Sequence, residues 1–366
     1  MLSSNLPDDI VKEIILWVPV KSLLRLKCVA KSWYALLTSP DFIARHLDFS
    51  NSITQNRSVQ FIFRLHNLTL KPFISLLSNQ ASHVATDIAL PFTEEHVQYI
   101  FVYGQCNGIF CLYGVYNGES RGYSNGSSII LWNPATREVK VLPPSQRQPR
   151  DLVYVIFGFG IDPKTKDYKV VRFGNLAFEG REQPPVEVYN LSTNSWRTIK
   201  VTVPAFRLCY PKCRAYLNGV YHWLTDEQND KAILCFDFAK EVFGKMQLPP
   251  IVETTCEVNV DIIDERLAFV ATYCSAANFR FDIWVMNEYG VERSWTKRFN
   301  VGPRIEFGSF LGFWRDNEIL VEDEGRLISY NLDTELIQSF QVHGISRLFR
   351  VFGCVESLVP LTHRMQ

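Results

Sequence analysis

The chain has 366 residues, 47% apolar and 13% aromatic, enough to bury a sizeable core in two domains or one large repeat domain. Its 38 basic residues cancel its 38 acidic ones, so no global charge draws it to nucleic acid or anionic lipid. A nucleic-acid-binding or polybasic membrane protein is thereby disfavoured.

The first lysine, Lys12, follows Asp8 and Asp9, so the N-terminus lacks the basic start and apolar middle of a secretory signal. A cytoplasmic or nuclear location is expected. Nine cysteines scattered from Cys28 to Cys354 fit buried free thiols of a reducing compartment better than a disulfide framework.

Residues 1–48 read as helix and the rest as strand. Asp8 and Asp9 follow Pro7 where a helix dipole favours negative charge, and Ile10, Ile14 and Val18 form a stripe with Val11 and Ile15 beside it. Pro19 ends this helix; a second carries Leu23, Leu24 and Leu26, and a third runs through Cys28, Val29, Trp33, Leu36 and Leu37 until Pro40. From Leu6 to Leu37, 20 of 32 residues are apolar, more than three short helices hide by themselves. Such a surplus points to a helical module that docks on a partner, or to helices packed on the following domain.

Leu6-Pro7-Asp8-Asp9-Ile10-Val11, Ile14-Ile15, Pro19, Lys21-Ser22-Leu23-Leu24-Arg25 and Cys28-Val29-Ala30-Lys31-Ser32-Trp33 resemble the F-box. Ala30 departs from the more usual cysteine or serine, but stays small. The resemblance implies docking on a Skp-type adaptor and, through it, membership of a cullin-RING ubiquitin ligase of the SCF type. It nominates Leu6, Pro7, Ile10, Ile14, Pro19, Leu23 and Trp33 as the adaptor-facing surface or its support.

Residues 49–56 are polar and turn-prone and read as a linker. The uncharged run 97–118 is broken by Gly104, Gln105, Asn107 and Gly108, so it reads as two strands and a turn rather than a membrane span. Beyond the linker an apolar strand ending in Asn or Asp recurs, at Asn133, Asn190, Asp237, Asn287 and Asn331, spaced 57, 47, 50 and 44 residues apart. Each repeat has an earlier turn, at Asn107-Gly108, Asp167-Tyr168, Asn218-Gly219, Asp264-Glu265 and Asp316-Asn317. A period near 50 made of short strands is that of four-stranded propeller blades. Strands early (59–64, 68–73) and late (349–358) are left over, so a sixth blade shared by both ends is expected. No Gly-Gly or Trp-Asp pair occurs, so the repeat is neither an ordinary kelch nor a WD40 array.

The same stretch resembles the plant F-box-associated domain, a kelch-like propeller. The segments Gly104-Gln105-Cys106-Asn107-Gly108-Ile109-Phe110-Cys111-Leu112, Trp132-Asn133-Pro134-Ala135-Thr136-Arg137, Gly158-Phe159-Gly160-Ile161-Asp162, Asp167-Tyr168-Lys169-Val170-Val171 and Val188-Tyr189-Asn190-Leu191-Ser192-Thr193-Asn194-Ser195-Trp196 carry it. The closing Val355-Glu356-Ser357-Leu358-Val359-Pro360-Leu361 is similar to S-locus F-box-like members. The expected fold is mainly β: a three-helix F-box over 1–48, the linker, and a propeller over 57–361, of six blades closed by strands from both ends.

The resemblance implies a non-catalytic substrate receptor, in which the propeller holds a target protein and other subunits transfer ubiquitin. The segments 116–127, 145–151, 175–185 and 276–279 interrupt the repeat without extending its apolar pattern. They nominate Arg121, Tyr123, Arg147, Arg150, Arg181 and Phe279 for target binding, as aromatic and guanidinium side chains dominate hot spots. No catalytic residue, metal or cofactor is assigned. Cys209, Cys213 and His222 lack a fourth metal ligand at conventional spacing, Gly158-Phe159-Gly160 lacks the third glycine of a dinucleotide loop, and Glu322-Asp323-Glu324 lacks alternating calcium ligands. The alternative readings are a propeller glycan-binding protein or enzyme, and an F-box regulatory scaffold outside any ligase.

Overall fold

The computed structural model describes residues 7–54, 59–65, 72–77, 86–88, 90, 97–116, 127–145, 155–174, 186–204, 214–227, 230–250, 255, 257–275, 278–304, 308–314, 317–345 and 349–362. Four helices come first: α1 (Asp8–Leu16), α2 (Val20–Leu26), α3 (Lys31–Thr38) and α4 (Pro40–Thr54).

One helix more than expected forms because Pro40 starts a helix rather than only stopping one. Ser39 Oγ accepts the Phe42 N–H at 3.3 Å, and proline at the first helical position gives up no bond. Residues 49–54 continue α4 where a linker is expected. They hold no Gly or Pro, and the Phe49 ring meets Trp17 edge to face at 4.7 Å. The third helix begins at Lys31, after Ala30 adopts an extended conformation, which leaves Cys28 and Val29 in the preceding turn. Ile15, Leu16, Val20, Leu23, Leu37 and Phe42 form the core of this module, joined from far along the chain by Leu358.

The rest is six antiparallel four-stranded sheets. The first blade holds β1 (Val59–Leu65), β2 (Pro72–Leu77) and β3 (Thr86–Ile88), so its second strand lies later than the expected 68–73. The second holds β4 (Val97–Cys106), β5 (Ile109–Tyr116), β6 (Ser127–Asn133) and β7 (Glu138–Val141). The third holds β8 (Val155–Ile161), β9 (Tyr168–Gly174), β10 (Val186–Asn190) and β11 (Ser195–Ile199). The fourth holds β12 (Arg214–Leu217), β13 (Val220–Glu227), β14 (Asp230–Asp237) and β15 (Val242–Gln247). The fifth holds β16 (Glu257–Ile263), β17 (Arg266–Ser275), β18 (Asn278–Met286) and β19 (Trp295–Arg304). The sixth holds β20 (Ser309–Phe313), β21 (Glu318–Asp323), β22 (Arg326–Asn331) and β23 (Ile337–His343). The last strand, β24 (Arg350–Cys354), returns to the first blade and pairs with β1, Phe61 opposite Phe352, so both ends close the ring.

In three of the five repeats the recurring Asn or Asp is a turn device. Asn133 Oδ1 accepts the N–H groups of Ala135 and Thr136 (3.0 and 3.3 Å), Asp237 Oδ1 those of Ala239 and Lys240 (both 2.9 Å), and Asn331 Oδ1 those of Asp333 and Thr334 (3.0 and 2.8 Å). Each side chain replaces a backbone acceptor at the turn into the outermost strand. The earlier turns use Asn107-Gly108 (φ 52° and 76°) and Asn218-Gly219 (φ 49° and 86°), the paired positive values of a two-residue hairpin.

Six apolar clusters fill the six gaps between blades. Phe157, Phe159 and Val170 meet Cys111 and Leu131 across the second gap, while their strand neighbours Ile156 and Val171 meet Tyr221 and Trp223 across the third. The innermost and second strands of the third blade are therefore buried on both faces and read as continuous apolar runs instead of alternating ones. At one end of the third gap Lys169 Nζ lies 2.8 Å from Asp162 and 2.9 Å from Glu241 and donates to the Phe238 carbonyl, a buried charge satisfied on all sides. One expectation about thiols fails: Cys28, Cys106, Cys111 and Cys235 are in no disulfide, but Cys274 is disulfide-bonded.

Candidate docking surfaces

The helical module keeps one apolar stripe in and another out. On α1 and the turn after it, Val11, Ile15 and Val18 turn to the core, whereas Ile10 and Ile14 are 47% and 51% exposed and Trp17, one turn on, is 68% exposed. A helix apolar on both faces is suited to two partners, and among the described residues only one of the two faces is covered. Val29, in the turn before α3, and Tyr34, on α3, add exposed apolar surface.

The nominated residues divide accordingly. Pro7, Ile10, Ile14 and Pro19 face water; Leu23 is fully buried and Trp33 packs partly buried against the core, so these two support the surface from inside. Leu6 lies outside the described residues. Trp17, Val29 and Tyr34 are surface residues missing from the nominated set. Trp17 was legible as the seventh residue after Ile10, but Val29 and Tyr34 depend on where α3 begins.

The two ends of the propeller are unlike. The innermost strands β4, β8, β12, β16, β20 and β24 pack around the axis. They border a central cavity of about 340 Å³ lined by Gln105, Glu257, Asn259, Asp261 and Arg350 among others. All six run in the same sense, the first five into a turn to the next strand and β24 into residues 355–361, and the turns to the outermost strands emerge at the same end. The helical module sits at this turn face: Ala135, in the turn between β6 and β7, touches its core, and Val20 N donates to Glu356 Oε2 at 3.0 Å.

The segments 116–127, 145–151, 175–185 and 276–279 connect β5 to β6, β7 to β8, β9 to β10 and β17 to β18. By strand direction all four connections leave from the other end, the loop face, away from the helices. Arg121, Tyr123, Arg147, Arg150 and Arg181 lie outside the described residues. Phe279 is opposite Cys274 near the start of β18, with its ring half-buried against the cluster of Phe281, Val301 and Phe310. It serves the core there and offers only part of its ring to a ligand.

Two polar groups with shifted titration lie inside the propeller. Burial pushes the His222 ring down to about 4; its Nδ1 lies 3.0 Å from the Ala215 carbonyl and its Nε2 2.8 Å from Tyr289 Oη, so both nitrogens are engaged. Burial raises the Asp261 carboxyl to about 6 although it accepts the Ile262 and Phe313 N–H groups. Among the described residues no three His, Cys, Asp or Glu side chains group as a metal site. No described helix is long and apolar enough to cross a membrane.

The F-box domain profile matches residues 3–45, and that of the F-box associated beta propeller domain matches residues 60–353. The chain belongs to the F-box-associated beta propeller family. It is 28% identical to an F-box/kelch-repeat protein of Arabidopsis thaliana over 89% of its own length and 88% of that protein's. It is 26% identical to the F-box protein CPR1 of the same plant, over 97% of this chain and 89% of that one. Among solved structures it overlays prolyl oligopeptidase B from Galerina marginata at a TM-score of 0.41 and 10% identity. That overlay covers 79% of this chain and 41% of the peptidase, too slight a likeness to carry chemistry. The helical module is thus an F-box and the six sheets its associated propeller.

Proposed function

We propose that the chain is the target-recognition subunit of an SCF-type ubiquitin ligase, docking a Skp-type adaptor through the F-box and a target protein through the loop face of the propeller. One observation carries this reading: the F-box core, closed with Leu358 from the strand end of the chain, still leaves Ile10, Ile14 and Trp17 in water as one stripe, at the opposite pole from the long connections. The propeller's part is to hold the target near ubiquitin carried by other subunits, so the chemistry gained is proximity and the chain contributes no nucleophile. Such a subunit works in the cytoplasm or nucleus, where the ligase is.

The test is co-purification. The tagged chain should bring down the adaptor and a cullin, and the Ile10→Asp/Ile14→Asp variant should bring down neither while its propeller melts as before. Wild-type chain that recovers no cullin from plant extract overturns the ligase reading. Turnover of a small substrate by the isolated chain would favour an enzyme.

A further inference from the structure

After β24 the chain does not end in the blade but runs on as an extended strap over residues 355–361. On one side it is bolted to the second blade. Asn133 Nδ2 donates to the carbonyls of Ser357 and Val359 at 3.0 Å each, and Leu361 N donates to Glu138 Oε2 at 2.6 Å. Gly108 lets the strap come this close, as a Cβ there would stand 2.2 Å from the Val355 carbonyl oxygen. Leu361 is buried in the cluster between the second and third blades.

On its other side the strap holds the F-box. Glu356 Oε2 accepts the N–H of Val20, the first residue of α2, one of the amides that a helix start leaves without an internal partner. Pro19 caps it with no side chain, so a residue 336 positions away does so. Leu358, 2% exposed, completes the helical core beside Ile15, Val20 and Leu23. The alternation of an extended chain explains the division: 356 and 358 face the helices, 357, 359 and 361 the blades.

We propose that this strap is the joint that fixes the F-box on the propeller, with Glu356 and Leu358 as its positioning residues. The joint adds to the chain connection a second attachment of different kind, a capped helix start plus a buried side chain, and two attachments suppress rotation that one permits. Its use, keeping a bound target at constant distance and angle from the ubiquitin donor, rests on the receptor reading above; the joint itself does not.

The experiment measures the distance distribution between spin labels attached through non-cysteine handles at exposed Lys31 and Arg293, by double electron–electron resonance on the full chain. The wild type should give one narrow distribution. Glu356→Ala/Leu358→Ala should broaden it at least twofold with the propeller transition unmoved, and Glu356→Gln/Leu358→Met, which keeps an acceptor and a filled pocket, should restore it. A broad wild-type distribution, or a double variant that stays narrow with its helices intact, overturns the joint. Should the double variant lose its helices, Glu356→Ala alone decides: the Val20 amide should exchange at least tenfold faster, and unchanged exchange overturns the proposal. Adaptor pull-down by the wild type is scored separately, so failure of the ligase reading leaves the distances to judge the joint.

Discussion

Asn133 and Ser357 stand 224 positions apart in the chain and 3.0 Å apart in the structure, the amide of one donating to the carbonyl of the other. The same asparagine caps its own turn through Oδ1 and is fully buried, so one side chain satisfies four backbone groups. Asn331 makes the turn bonds without the strap bonds, which provides an internal control.

Asn133→Ala should therefore lower stability by about 2–3 kcal/mol, because two strap carbonyls and two turn amides lose their partner, whereas Asn331→Ala should cost about 1 kcal/mol. Asn133→Asp keeps the turn acceptor but sets a carboxylate against two carbonyl oxygens, and should be no better than alanine. Urea unfolding of the three variants checks the order; equal losses at 133 and 331 would show that the strap bonds contribute nothing.

That asparagine also shows what was legible in the chain. The period near 50 could be read from Asn133, Asn190, Asp237, Asn287 and Asn331, because each ends or directly follows a third strand and, at Asn133, Asp237 and Asn331, the turn uses the short polar side chain. Closure by both ends was legible because strands were left over at each. The extra helix was not, since Ser39-Pro40 serves equally as a stop for one helix and a start for the next. Nor was the direction of α1's stripes: Ile10 and Ile15 are equally apolar, and only packing decides which meets the core. The strap was seen as a resemblance alone, because its bonds run to residues more than 200 positions distant.

Removing residues 348–366 takes away β24, the strap and Phe349, which fills the gap between the sixth and first blades. The β1 edge, Val59–Leu65, is then unpaired on one side, an open template for association. The truncated chain should be oligomeric by light scattering and should not melt cooperatively. A monomer with the wild-type melting temperature would show that the last strand closes nothing.

His222 sets one limb of the pH dependence. Its folded pKa, about 4, is below the ordinary 6.5, so between these values the unfolded chain binds a proton that the folded chain does not. Its contribution is complete above pH 6.5 and is lost as pH falls towards 4, amounting to roughly 3 kcal/mol at most. His222→Gln, neutral throughout, should be less stable at pH 7 but flatter between pH 6.5 and 4 in denaturant titrations. Parallel wild-type and variant curves over this window would exclude His222 as the source.

On the F-box, exposure separates docking from folding. Trp17→Ala should weaken adaptor binding at least tenfold with no change in helical circular dichroism, since its ring lies mostly in water and a docked aromatic is a frequent hot spot. Leu23→Ala should instead destabilise the module by about 3 kcal/mol through a cavity in its core. Calorimetric binding and thermal unfolding of both variants check the division. Undiminished adaptor binding by Trp17→Ala would take the outer stripe of α1 out of the interface.

Target choice should lie in the connections that leave the loop face, 116–127, 145–151, 175–185 and 276–279. Their neighbours at the turn face are held to short lengths by Asx turns and two-residue hairpins, and the strap and F-box already cover part of that face. Length in a connecting loop costs little, about 0.6 kcal/mol for each doubling of a flexible one. Arg121, Tyr123, Arg147, Arg150 and Arg181 bring guanidinium and phenol groups to these connections, suited to an acidic or aromatic peptide surface. Exchanging the four segments for those of a relative with a different target should transfer target capture, with adaptor binding and melting temperature unchanged because the exchanged ends join the same strands. Replacing Arg121, Arg147, Arg150 and Arg181 by alanine together should lower capture by at least tenfold and reduce its salt dependence. If the exchanged chain stays folded and still captures its original target, recognition lies on the propeller's rim or its turn face.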